Sequence, residues 1–147
     1  MLALQGAFAL HRRMLERLGA QVHEVRSPDD LEAVDALVIP GGESSTMLMQ
    51  LDRSGLREPL DRRLRAGMPA FGTCAGAILL GGEILDGRSD QQPFAMIDMV
   101  VRRNGYGRQV DSFESEVLLA GDPVPMVATF IRAPLIEAVG DDVEVVA

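Results

Sequence analysis

The chain has one cysteine, Cys74, in the run Gly72-Thr73-Cys74-Ala75-Gly76. A lone free thiol is commonly a small buried hydrophobe, and becomes a nucleophile only where its surroundings favour thiolate. Here the G-x-[nucleophile]-x-G spacing favours the second reading. "PAFG" (69–72) reads as a strand and "AGAILLG" (75–81) as the helix behind it, so Cys74 falls on the corner between them. Such a corner strains the nucleophile's backbone, and glycines on either side let neighbouring chain pass close. The Ala75 N–H, first in the helix, would hold the oxyanion formed when a thiolate attacks a carbonyl. The elbow by itself leaves several hydrolase and isomerase chemistries open.

Two further segments could serve the same site. "PGGESST" (40–46) follows the apolar run "ALVI", at the same carboxyl edge of a parallel sheet as Cys74. Its Gly-Gly turn would offer backbone N–H groups as a second oxyanion donor; alone, it is also the turn expected before a helix capped by Ser44. "RRNGYGRQVDSFESE" (102–116) gathers polar and aromatic residues within an apolar half, as a solvated loop also would. "TFIRAP" (129–134) ends an apolar strand on Arg132. A guanidinium there calls for an anion, either a ligand carboxylate or Glu114 or Glu116.

The elements that must position these residues alternate. "LAL" (2–4) is a short strand, and Ala7 to Leu18 an amphipathic helix with Ala7, Leu10, Met14 and Leu18 on its apolar face. Gly19 closes it. "QVHEV" (21–25) alternates as a strand, and "SPDDLEAV" is a helical connection with Ser27 as cap and Pro28 first in the helix. "ALVIP" and "PAFG" are buried strands, with helices "SSTMLMQL" and "EPLDRRLRA" between them. This order predicts a doubly wound parallel sheet covered on both faces. Beyond residue 86, "GRSDQQP" reads as a polar surface loop, and "MIDMVVRR", "SEVLLA", "MVATFIRA" and "VEVVA" as strands of an antiparallel extension. The chain stops inside the last of these, so its C-terminus is expected to be cut.

Composition narrows the function classes. A length of 147 residues suits one domain able to bury its own core, and 47% hydrophobic residues argue against disorder. A formal net charge of −8 argues against nucleic acid as a main partner. One cysteine excludes an internal disulfide, and His11 and His23 lack metal-ligand spacing, so neither metal nor cofactor is expected. The opening segment has no basic leader, and no apolar run approaches the ~20 residues of a membrane helix, which predicts a cytoplasmic location.

Taken together, "LALQGA", "PGGESSTM", "FGTCAGAILL", "RRNGYGRQVDSFE" and "FIRAP" resemble the glutaminase subunit of pyridoxal 5′-phosphate synthase, a class I (triad) glutamine amidotransferase. The resemblance runs in order from residue 2 to 147. It implies a flavodoxin-like three-layer α/β/α sandwich with a mostly parallel sheet and an antiparallel extension. It also implies hydrolysis of L-glutamine to glutamate and ammonia, the ammonia passing to a synthase (lyase) subunit as partner. By matching motifs, Cys74 is the nucleophile, and Gly42 and Ala75 the oxyanion donors. Gly42, Glu43, Ser44, Arg103, Ile131 and Arg132 would contact glutamine. Arg132 is thereby reached twice, since glutamine carries an α-carboxylate.

One departure stands out. The family completes its triad with a His and a Glu in an "HPE" motif, and this sequence has none. His11 and His23 come too early to match; His11 is expected at the surface or an interface, His23 on a partly exposed strand. The last strands and closing helix of the fold are expected to be missing, leaving the chain as written without hydrolytic turnover. A non-catalytic module docking on the synthase, and a related hydrolase or chaperone built on an elbow cysteine, are the alternatives. "GRQVDSFE" argues against the latter, and against service to a different synthase.

Overall fold

A computed structural model describes residues 1–131 and 134–147, with Gln109 described by its backbone alone. The N-terminal half is organised by four stretches of chain running side by side. Leu2 forms a parallel bridge with Val25 on one side, and its N–H donates to the Val38 carbonyl (2.9 Å) on the other. Val38 belongs to β1 (Leu37–Ile39), which pairs in parallel with β2 (Ala70–Gly72) in the register Leu37↔Ala70 to Ile39↔Gly72. The spatial order is therefore second, first, third, fourth. That is the flavodoxin-like order, whose direction reverses between the first stretch and β1.

The helices between these strands are α1 (Phe8–Arg17), α2 (Pro28–Glu32), α3 (Ser44–Ser54), α4 (Arg57–Arg65) and α5 (Ala75–Leu80). α2 packs on α4, and α3 on α4 and α5. α1 returns in the opposite sense across the sheet, which the right-handed crossover rule assigns to the other face. Ser27 caps α2 in a capping box with Asp30, with Pro28 in the first turn as its sequence predicts. The core joins Leu2, Val25, Leu37, Ile39, Leu51 and Leu79, all at 1% exposure or less. Burying each such side chain contributes roughly 1.5–3 kcal/mol. Among the described residues, no helix is long and apolar enough to cross a membrane.

Several elements differ from their sequence expectation. Residues 21–25 form no strand but the one bridge at Val25, because only Met1 to Ala3 runs beside them. β2 is not buried: Phe71 is 62% exposed. α1 is turned about 100° from the face its apolar residues mark, one residue's rotation about a helix. Leu10, Met14 and Leu18 are exposed, while Ala7, His11 and Leu15 face inward and half-buried.

The second half is not one extension of the first sheet. β3 (Gly81–Leu85) runs parallel to β4 (Ile97–Arg102), whose other edge pairs antiparallel with β7 (Leu135–Val139). β5 (Phe113–Val117) and β6 (Met126–Phe130) form a separate antiparallel ribbon. β3 and β7 have no clear strand signal, since Gly-Gly and a Glu-Ala pair interrupt their alternation. Pairing with β4 supplies what propensity lacks. Residues 143–147 form no strand, though Ala120 N–H donates to the Val146 carbonyl (2.7 Å). The loop at 87–93 is not wholly superficial either: Gln91 is buried at 8% exposure.

Candidate active site

Thr73 and Cys74 are the two residues between β2 and α5. Cys74 holds φ 50° and ψ −107°, a conformation that costs about 1–3 kcal/mol in a residue with a side chain. The corner is pinned on both sides. Thr73 N–H donates to the Ile39 carbonyl of β1 (3.1 Å), Gly76 N–H to the Thr73 carbonyl (2.9 Å), and Ile78 N–H to the Cys74 carbonyl (3.1 Å). The two flanking glycines are required by close approach. A Cβ on Gly72 would lie 2.5 Å from the Gly76 carbonyl carbon and 2.7 Å from Ala77 N. One on Gly76 would lie 2.8 Å from the Ile39 carbonyl carbon. Cys74 is half-buried and its thiol free, while Ala75 beside it is buried.

The Gly41-Gly42 turn leaves the carboxyl end of β1 directly against this corner. A Cβ on Gly41 would stand 3.2 Å from the Cys74 Cβ. The turn is held from the first stretch of chain: Ala7 N–H donates to the Gly41 carbonyl (2.9 Å), and Gln5 Oε1 accepts from the Glu43 N–H (3.0 Å). In a trans peptide C=O and N–H point oppositely, so the Gly42 N–H faces away from Ala7. These two turns flank the place where strand order reverses, where open α/β sheets bind their ligands. Gly42 is exposed.

Glu43, rather than Ser44, caps α3. Its carboxylate accepts from Thr46 N–H (3.0 Å), Ser45 Oγ (2.8 Å) and Thr46 Oγ1 (3.1 Å). Ser44, 2% exposed, is buried as the first helical residue, its hydroxyl 3.4 Å from Gln91 Nε2. Of two adjacent arginines at the end of β4, Arg102 pairs with Asp86 (3.3 Å) and Glu137, while Arg103 pairs with Glu43. The fold thus brings Cys74, Gly42, Glu43, Ser44 and Arg103 into one neighbourhood. Ile131 follows β6 and is exposed. Its neighbour Phe130 stacks on Phe113 (5.0 Å) and meets Tyr106 (5.6 Å), which ties the ribbon to the turn after Arg103. Arg132 lies outside the described residues.

Gln5, Ala7, His11 and Thr73 enter the site although the sequence reading gives them no role there. His11 is half-buried, with its Nε2 2.9 Å from Thr73 Oγ1 and its Nδ1 3.0 Å from the Ala7 carbonyl. The signal that could have exposed them is the Gln-Gly turn after the first strand, paired across the reversal point with the Gly-Gly turn. His23 is exposed.

The model of the SNO glutamine amidotransferase family matches residues 1–147. The chain belongs to the glutamine amidotransferases of this family. The chain spans about three quarters of the length of the relatives it matches. Similar family members are the proteins named pyridoxal 5′-phosphate synthase subunit PdxT from Salinispora tropica (54% identity, covering 98% of this chain and 72% of the relative) and Rhodococcus jostii (56%; 99% and 73%). Another, of the same name, is from Mycobacteroides abscessus (55%; 99% and 76%). A solved structure described as a glutamine amidotransferase superposes with a TM-score of 0.87 at 41% identity, over 99% of this chain and 76% of that one. A half-buried thiol beside a glycine turn is an arrangement suited to covalent acyl transfer, in which a thiolate attacks a carbonyl carbon and backbone N–H groups hold the oxyanion.

Proposed function

We propose that the chain is a glutaminase subunit that supplies ammonia to a pyridoxal 5′-phosphate synthase subunit in the cytoplasm, in line with the name its relatives carry. The observation that carries this is the strained Cys74 set against the Gly41-Gly42 turn at the sheet's reversal point. The Cys74 thiolate attacks the side-chain amide carbon of L-glutamine. The oxyanion is held by the N–H groups of Gly42 and Ala75; as the C–N bond breaks, the amide nitrogen takes from solvent water a proton equivalent to the one the thiol gave up, and leaves as ammonia. Water then cleaves the γ-glutamyl thioester to glutamate. Gly42, Glu43, Ser44, Arg103, Ile131 and Arg132 contact the substrate, the arginines matching its α-carboxylate. For Arg103 this means exchanging Glu43 for glutamine.

Neither histidine of the chain serves as base in this scheme. Both ring nitrogens of His11 are engaged, by Ala7 and Thr73, and His23 lies on the segment beyond the first strand. Capture of Cys74 by an electrophile is therefore expected to outpace glutamine turnover. Incubation with a glutamine-mimicking chloroketone, followed by peptide mass spectrometry, should place one adduct on Cys74, and L-glutamine should protect against it. Labelling indifferent to glutamine would refute the reading. Ammonia release in the presence of the synthase subunit then measures how much turnover the chain supports.

A further inference from the structure

We infer that His11 is a positioning residue for the nucleophile, tying the oxyanion turn to the elbow through one imidazole ring; this rests on the glutaminase reading of the site. The connection is continuous. Ala7 N–H donates to the Gly41 carbonyl (2.9 Å), His11 Nδ1 lies 3.0 Å from the Ala7 carbonyl, and His11 Nε2 lies 2.9 Å from Thr73 Oγ1. A carbonyl only accepts, so Nδ1 carries a proton, and in the neutral ring Nε2 accepts from the Thr73 hydroxyl. Thr73 is the residue before Cys74, and its own N–H is bound to the Ile39 carbonyl (3.1 Å).

The physical consequence follows from where the strain sits. Cys74 at φ 50° would relax if the peptide before it could rotate. Thr73 is β-branched and stiff about its first side-chain torsion, so fixing its hydroxyl fixes its backbone. His11 supplies that fixed point from α1, a helix with no buried residue and hence little other reason to be anchored here. The same ring sets the distance between the two halves of the site, because Ala7 holds the Gly41 carbonyl. Alanine is a better helix former than histidine, so loss of the ring removes the tether without weakening α1.

The test follows alkylation of Cys74 in the intact chain by two probes, a glutamine-mimicking chloroketone and iodoacetamide. His11→Ala and Thr73→Val should each lower the maximal inactivation rate by the chloroketone ~10-fold, the effect of one lost hydrogen bond at a reacting centre. The concentration for half-maximal inactivation should stay within about twofold, because the pocket itself is untouched. The double variant should be no slower than either single one, and His11→Gln, whose amide can reach Thr73, should recover most of the rate. A folded Thr73→Val protein inactivated at the wild-type rate would overturn the inference. So would additive effects in the double variant, or a change confined to the half-maximal concentration. Wild-type labelling that glutamine fails to block would sink the glutaminase reading instead. The iodoacetamide rates would then decide the tether alone: unchanged rates in both single variants overturn it.

Discussion

Replacing Gly72 by alanine tests whether the elbow is held by close approach. The added Cβ would lie 2.5 and 2.6 Å from the Gly76 carbonyl atoms and 2.7 Å from Ala77 N, all backbone of α5. No flexible side chain can swing aside. To reach ordinary contact, α5 must retreat from β2 by about 0.9 Å. Gly76 itself sits against the Ile39 backbone, so the retreat also opens the β1–α5 contact. Overpacking costs about 1–3 kcal/mol, and rigid backbone neighbours place this case near ~3 kcal/mol. For a chain of this length that is a fall in Tm of roughly 6–12 °C. The sulfur moves with α5, and a displacement of ~1 Å at a reacting centre can lower its rate ~100-fold. The measurements are a thermal melt by circular dichroism and the chloroketone labelling rate of Cys74 well below the melt. Gly67→Ala is the control: Gly67 has φ +93° with nothing within 4 Å of its Cβ position. It should cost only the ~1–2 kcal/mol of left-handed strain and leave labelling unchanged. A Gly72→Ala protein that melts and labels like wild type would show that α5 is not seated by these glycines.

Two further outcomes follow from the same structure. The Ser27 hydroxyl first, and the Arg26 N–H next, hold the Asp30 carboxyl below its ordinary range. A depressed carboxyl adds stability that is present above about pH 3.9 and lost as pH falls through its folded value. Asp30→Asn should therefore flatten the acid limb of urea stability below about pH 4 and leave its slope above about pH 5 unchanged; an unaltered acid limb would refute the capping-box account. Replacing Leu10 and Met14 of α1 by serine should change stability by less than about 0.5 kcal/mol each, since both are exposed. A cooperative loss of several degrees in Tm would mean that this face packs inward after all.

The contrast between the two halves of the molecule shows where sequence legibility ends. Cys74 could be placed on a corner because Gly72 and Gly76 are recognisable as sites of close approach, and the Ser27-Pro28 start and the Gly19 stop are chemistry local to the chain. The apolar side chains of α1 mark a face one residue's rotation from the one that packs inward, since the fold leaves Leu10, Met14 and Leu18 in solvent. That rotation hid His11. β3 and β7 acquired their state from β4, a partner that no local pattern records.

The residue types by themselves determined the place of Cys74 at a strand-to-helix corner, the alternation of strand and helix and the glycine-lined turns, since each expresses a local steric or hydrogen-bonding requirement. Tertiary structure alone decided that Arg103, rather than Arg102, meets Glu43, that Gln5 and Ala7 hold the Gly-Gly turn, and that His11 reaches Thr73. Those contacts join residues up to 62 positions apart. Their geometry depends on strand order and helix rotation, which the packing of the whole core sets.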